Sequence, residues 1–214
     1  MADSYGESPL ASRAELLAHA GAPGAVHLAE VPFLAQVALR VDPKSAAAER
    51  VGTALGAMLP TQPGEVAEAG NVSVLWLGPD EWLLVGPRGS AEEIQETLTE
   101  ALADEHAAVV DVSAHRTILD VAGPLARELL NKGCALDLHP RSFEAGRCAQ
   151  TMLARAGVIL VCRDAETPRF WVFVRASFAE YLADWLADAA DEYRTRHTRT
   201  AIDDVEPRQP EPAR

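Results

Sequence analysis

The sequence predicts an α+β protein made of two halves, each following a ferredoxin-like order of strands and helices. Three observations carry this. Residues 35–112 read as strand, helix, strand, strand, helix, strand. The β-branched runs at 109–112 and 117–121 give way to a helix at Gly123-Pro124, and a long amphipathic segment at 177–193 closes a second half that varies the same theme.

Each element has a local reason. Ser12 with Glu15 three residues on is a capping-box pattern, so a short helix is expected at 12–20, ended by Gly21 and Gly24. An extended run follows at 26–31 and a strand at 35–41; a helix from about residue 44 is closed by Pro60. Residues 60–71, rich in Pro and Gly, read as a loop. Apolar runs at 72–77 and 81–85 joined through Gly78-Pro79-Asp80 form a hairpin. Ser90 caps a helix running to about residue 104, whose Glu92 and Glu93 suit its positive start. Val109, Val110 and Val112 favour extended chain, and Thr117, Leu119 and Val121 alternate in the next strand. Pro124 opens a helix because its missing N–H has no intrahelical partner there; Leu125, Leu129 and Leu130 share one side, and Asn131 and Gly133 end it. Strands at 148–154, 158–163 and 170–174 precede the last helix, on which Phe178, Leu182, Trp185, Leu186 and Ala189 form the expected core stripe. The division is therefore 1–25, a tail and short helix; 26–112 and 113–193, the two α+β halves; and 194–214, a charged, proline-containing stretch expected to be disordered.

Composition narrows the function. With 214 residues, 48% hydrophobic, the chain can bury a full core, while a net charge of −13 and a pI near 4.8 oppose binding to nucleic acid or an anionic membrane. The N-terminus lacks a signal-peptide pattern and no run reaches transmembrane length, so the cytoplasm is the expected location. Cys134, Cys148 and Cys162 lack zinc-ligand spacing and read as reduced, buried thiols. No Gly-x-Gly-x-x-Gly, Gly-Lys-Ser/Thr or Cys-x-x-Cys occurs. Asp111, Ser113 and His115 alternate along a strand end, which cannot chain them into a hydrolytic triad; they read as groups that fix a turn.

The densest polar stretch is the loop at 133–146. It and its exit hold Asp137, His139, Arg141 and Arg147, and loops of this kind carry binding more often than packing. Two readings stay open: a turn in which Asp137 accepts its own backbone N–H groups, or a contact with a protein partner. No residue is assigned a catalytic, cofactor-binding or metal-binding role.

Several runs carry a resemblance. Val110-Asp111-Val112-Ser113, Val121-Ala122-Gly123-Pro124 and Asp137-Leu138 are similar to the strand, helix start and post-helix motif of the glycine-cleavage aminomethyltransferases, which share a folate-binding fold. Leu75-Trp76-Leu77-Gly78-Pro79-Asp80-Glu81-Trp82-Leu83-Leu84, Gly133-Cys134-Ala135-Leu136-Asp137-Leu138-His139-Pro140 and Gly146-Arg147-Cys148-Ala149-Gln150-Thr151 resemble a narrower relative, the gamma-subunit family of heterotetrameric sarcosine oxidases. The resemblance covers roughly residues 26–190. It implies an assembly that demethylates sarcosine to glycine, yielding hydrogen peroxide with 5,10-methylenetetrahydrofolate or formaldehyde. It also implies that FAD, FMN, NAD, zinc and tetrahydrofolate sit on other subunits, and that the partners are alpha, beta and delta subunits. Where the aminomethyltransferases carry an acidic Gly-Gly-x-x-Asp-Asp hairpin, this chain has Arg155-Ala156-Gly157-Val158-Ile159-Leu160-Val161, and Arg175 replaces an Asn that ends a later strand. A structural subunit is expected; the alternative is a free-standing folate-binding or aminomethyltransferase-like protein.

Overall fold

The computed structural model describes residues 6–203, with side chains through Arg194. Its strands are β1 (His27–Val31), β2 (Ala35–Arg40), β3 (Val66–Ala69), β4 (Val72–Gly78), β5 (Glu81–Gly86), β6 (Ala108–Asp111), β7 (Arg116–Ala122), β8 (Arg147–Leu153), β9 (Ala156–Asp164) and β10 (Arg169–Arg175). Its helices are α1 (Ala14–Ala20), preceded by a 3-10 turn at Ala11–Arg13, then α2 (Ala46–Leu55), α3 (Ala91–Leu102), α4 (Ala126–Asn131) and α5 (Ala176–Asp203).

Two antiparallel five-stranded sheets result, in the orders β3-β4-β5-β2-β6 and β8-β9-β10-β7-β1. The orders are equivalent. In each, a strand leads through a helix to an edge strand and a hairpin, then a second helix, and the leading strand lies between the hairpin's last strand and a final one. The first half supplies that final strand as β6. The second half borrows β1 from the N-terminal side of the chain, so His27–Val31 pairs with β7 and not with the half in which the sequence placed it.

The layers run helices, sheet, sheet, helices. One core lies between the first sheet and α2 and α3, with Trp82, Leu39, Val51 and Leu98 inaccessible to water. A larger one lies between the second sheet and α1, α4 and α5. Between the sheets, Leu75, Leu83 and Val85 meet Ile118, Ile159 and Phe173. Each large side chain buried there contributes about 1.5–3 kcal/mol. The two halves are thus fused through apolar contact. No helix of the described residues is long and apolar enough to cross a membrane.

Several expectations are corrected. Ser12 does not cap α1; its hydroxyl donates to Glu180 at 2.8 Å. Ser45 is the cap of α2, accepting from the Ala48 N–H, and the helix ends at Gly56 (φ 80°) before Pro60 is reached. Ser90 precedes α3, but its hydroxyl donates back to Pro87 O. The loop at 60–71 contains β3, and α4 begins two residues after Pro124. Leu10, in the expected tail, is fully buried, while residues 1–5 lie outside the described residues. The tail expected from 194 is helical through Asp203, and 204–214 lie outside the described residues. Phe178 is 43% exposed; the core face of α5 consists of Ala179, Leu182, Ala183, Leu186, Ala190 and Tyr193.

Candidate functional site

The loop at 133–146 is pinned from beneath by apolar side chains and tied from above by its own polar groups. Leu138 and Phe143 are buried in the second core, where Phe143 stacks on Phe170 with ring centroids 6.5 Å apart. Arg127 donates to Leu138 O at 2.6 Å while its guanidinium lies over the Phe170 ring. Asp137 accepts from the His139 N–H at 3.0 Å and from the Ser142 hydroxyl at 2.7 Å, and the N–H groups of Ser142 and Phe143 both reach His139 O. His139 Nδ1 accepts from the Arg141 N–H at 3.2 Å, which leaves the neutral ring its Nε2 proton. The turn geometry is therefore in place. It presents His139, Pro140 and Arg141 to solvent on a fixed backbone.

The hydrogen bonds from Ser142 and then from the His139 N–H hold the Asp137 carboxyl below its ordinary pKa. A depressed pKa means stability that is present above the unfolded value near 3.8 and lost as pH falls through the folded value. Asp137→Asn is therefore expected to lower the melting temperature at pH 7, and the difference from wild type should shrink in acid below about pH 4. Melts across that range would check it; a pH-independent difference would remove the carboxylate from the turn's stability.

Arg147 is used differently. It starts β8, forms an isolated bridge with Glu65, and donates from its guanidinium to Pro63 O at 2.8 Å. Beside it the Cys148 N–H donates to Gly64 O at 2.7 Å and the Val66 N–H to Gly146 O at 2.9 Å. These bonds join the edge strand of one sheet to the edge strand of the other. Gly64, with φ 71°, lies so close that a Cβ there would be 2.5 Å from Cys148 O. Burial pushes the Cys148 thiol up to about 11, so it is protonated at neutral pH, and its sulfur contacts Trp76 O at 3.4 Å. A second tie crosses the seam where Arg163 of β9 reaches Glu68 at 3.1 Å and Ser73, and lies over the Trp171 ring.

Along this seam runs an open cleft of about 410 Å³, lined by Trp76, Leu77, Cys148, Asp137, Arg147 and Gln150 among others. Asp137 and Arg147 are thus brought to one cleft. His139 and Arg141 are not among its lining residues. The cleft has an apolar floor and a polar rim, but no nucleophile paired with a base. Ser113 donates its hydroxyl to Asp111 at 2.5 Å, not to His115, and accepts from the Gln36 N–H, so these residues fix a turn as expected. Among the described residues no three His, Cys, Asp or Glu side chains are grouped to hold a metal ion.

The hairpin that differs from the aminomethyltransferases is built into the body. Ile159 faces the core between the sheets and Leu160 the helix side, both buried. Neither position can carry an ionised carboxylate without a large desolvation penalty. What sequence reasoning missed is a second cleft beside this hairpin, of about 370 Å³, in which Arg116 and Arg175 meet. Its signal was their identity as the ends of two strands, and only the strand register makes them neighbours.

A model of the sarcosine oxidase gamma subunit family matches residues 39–192. The sarcosine oxidase subunit gamma of an Arthrobacter species is 42% identical over 191 residues, 89% of this chain and 92% of that one. That of Corynebacterium sp. strain P-1 is 40% identical over equal shares. Among solved structures, heterotetrameric sarcosine oxidase from Corynebacterium sp. U-96, in complex with pyrrole 2-carboxylate, contains a chain 39% identical to this one. The TM-score is 0.82, with 88% of this chain and 96% of that chain covered. The glycine cleavage system aminomethyltransferase T from Bartonella henselae matches with a TM-score of 0.58 at 16% identity, covering 85% of this chain and 53% of that one, a likeness of fold.

Proposed function

The chain belongs to the sarcosine oxidase gamma subunit family, and from that premise we propose that it is a structural subunit of a cytoplasmic heterotetramer with alpha, beta and delta partners. The assembly oxidatively demethylates sarcosine to glycine, forming hydrogen peroxide and either 5,10-methylenetetrahydrofolate or formaldehyde. FAD, FMN, NAD, zinc and tetrahydrofolate are held by the other subunits. The observation that carries the structural role is the burial of Ile159 and Leu160 where a folate-dependent relative has its acidic hairpin. Those side chains accept no proton and stabilise no cationic amine, so the residues of this chain do not fit folate transfer at that position. The fold is retained as architecture.

The exposed crest of the 133–146 loop is the contact this reading favours. Asp137 braces the turn from within and Arg147 anchors its exit to the other half, leaving His139 and Arg141 to meet a neighbouring subunit. Replacing both with Ala is expected to leave the melting temperature of the isolated chain within about 2 °C, since surface changes away from such ties stay within ±0.5 kcal/mol or so. In a complex co-expressed with its partner subunits, the same change should weaken retention of this chain by about 2–5 kcal/mol, because burying one half of a charge pair alone is costly. Dilution followed by size-exclusion chromatography measures this. Unchanged dissociation with turnover lost would overturn the structural role, and a flavin absorption band retained by the chain expressed alone would do so as well.

A further inference from the structure

The second cleft supplies what the first lacks, a concentration of positive charge without an anion. Arg116 and Arg175 are direct partners in the antiparallel register of β7 and β10, so their Cβ atoms stand about 4.5–5.5 Å apart on one face of the sheet. Like charges placed directly opposite destabilise a sheet unless something lies between them. Neither guanidinium has a carboxylate within salt-bridge distance among the described residues. The acid whose charge reaches Arg116 is Glu81, and Arg40 already holds Glu81 at 2.6 Å. Burial, and then Arg175, draws Arg116 below its ordinary pKa; burial, then Arg116 and Arg175, does the same to His115. All this stands in a chain whose net charge is −13.

The surroundings fit a particular kind of anion. Gln150 and Thr151 add polar groups, while Ile159 and Phe178 provide an apolar wall. Phe178 is the aromatic that α5 turns away from its core, and Met152, 52% exposed, is the cross-strand partner of Gly157, which lines the same cleft. Arg175 directly precedes α5, so the positive end of that helix adjoins the two guanidiniums.

We propose that the Arg116–Arg175 cleft binds a carboxylate attached to an apolar body, the carboxylate bridging the two guanidiniums and the body lying against Ile159 and Phe178. Its source is either a free organic acid or a Glu or Asp side chain of a partner subunit. The full chain supplies the first measurement. Benzoate, a carboxylate on an apolar ring, should give saturation-transfer signals with wild type, and Arg175→Gln should weaken its binding about 10- to 100-fold, the range expected for losing hydrogen bonds to a charged group. Arg175 is exposed and gives up only its repulsion with Arg116, so the variant should melt no lower than wild type. The co-expressed complex separates the sources. If a partner's carboxylate fills the cleft, benzoate binding disappears on assembly and Arg175→Gln lowers retention of this chain; if a free acid fills it, the assembled complex still binds benzoate and assembles normally with Arg175→Gln. Arg175→Lys, which keeps the charge, should recover part of whichever effect is seen. Benzoate binding that is absent or indifferent to Arg175→Gln, together with unchanged retention, overturns the site. Because the first measurement needs no partner, that outcome is distinct from a failure of the structural role.

Discussion

Trp82→Ala is expected to cost about 3–5 kcal/mol, the usual range for emptying a buried large aromatic site. For a chain of this length, each kcal/mol is worth about 2–4 °C, so the melting temperature should fall by roughly 6–20 °C. Trp82 is inaccessible to water in the core between the first sheet and its helices, and its indole N–H donates to Pro60 O at 2.8 Å. That bond fixes the start of the segment leading to Gly64 and Glu65, where the two sheets join. Trp82→Phe keeps most of the volume but leaves Pro60 O without this donor, and should cost about 1–3 kcal/mol. Equal melting temperatures for the two variants would mean that the hydrogen bond, and not the packing, dominates. A fall of under about 3 °C in Trp82→Ala would contradict the closed core.

How much of this was legible in the sequence depends on how far apart the interacting residues lie. The Gly78-Pro79-Asp80 hairpin and the brace of Asp137 on His139 are short-range, and local chemistry was enough to read them. On the last helix the expected stripe has the correct period and includes the buried Leu182 and Leu186, with Trp185 and Ala189 packed against the core, but Phe178 lies outside it. Ala179, Ala183 and Ala190 complete the inward face because small side chains let the helix approach the sheet closely. β3 was hidden because four residues between Gly64 and Gly70 become a strand only by pairing with β4. The exchange of β1 into the second sheet, the reach of Arg147 to Pro63 and the meeting of Arg116 with Arg175 all join distant parts of the chain. None leaves a local pattern. The gamma-subunit resemblance was legible because it rests on whole runs of residues.

The second large effect is expected at Gly64, where fold and seam depend on a missing side chain. Its φ of 71° is a conformation that costs an ordinary L-residue about 1–2 kcal/mol, and an added Cβ would stand 2.5 Å from Cys148 O. The neighbouring backbone must move, stretching the Cys148 N–H to Gly64 O bond of 2.7 Å. Gly64→Ala is therefore expected to lose about 3 kcal/mol in all, or about 6–12 °C in melting temperature. Gly70 provides the control. It has a similar φ of 64° in the turn between β3 and β4, yet nothing lies within 4 Å of its would-be Cβ, so Gly70→Ala should lose only the conformational share. The difference between the two variants isolates the contact between the sheet edges. Because that contact also lines the cleft beside Arg147, Gly64→Ala should further displace the 133–146 loop and weaken retention in the co-expressed complex, while Gly70→Ala should not. Matching melts and matching retention for the two variants would show that the edges are not held together, and the route from Arg147 to a fixed loop crest would then be lost.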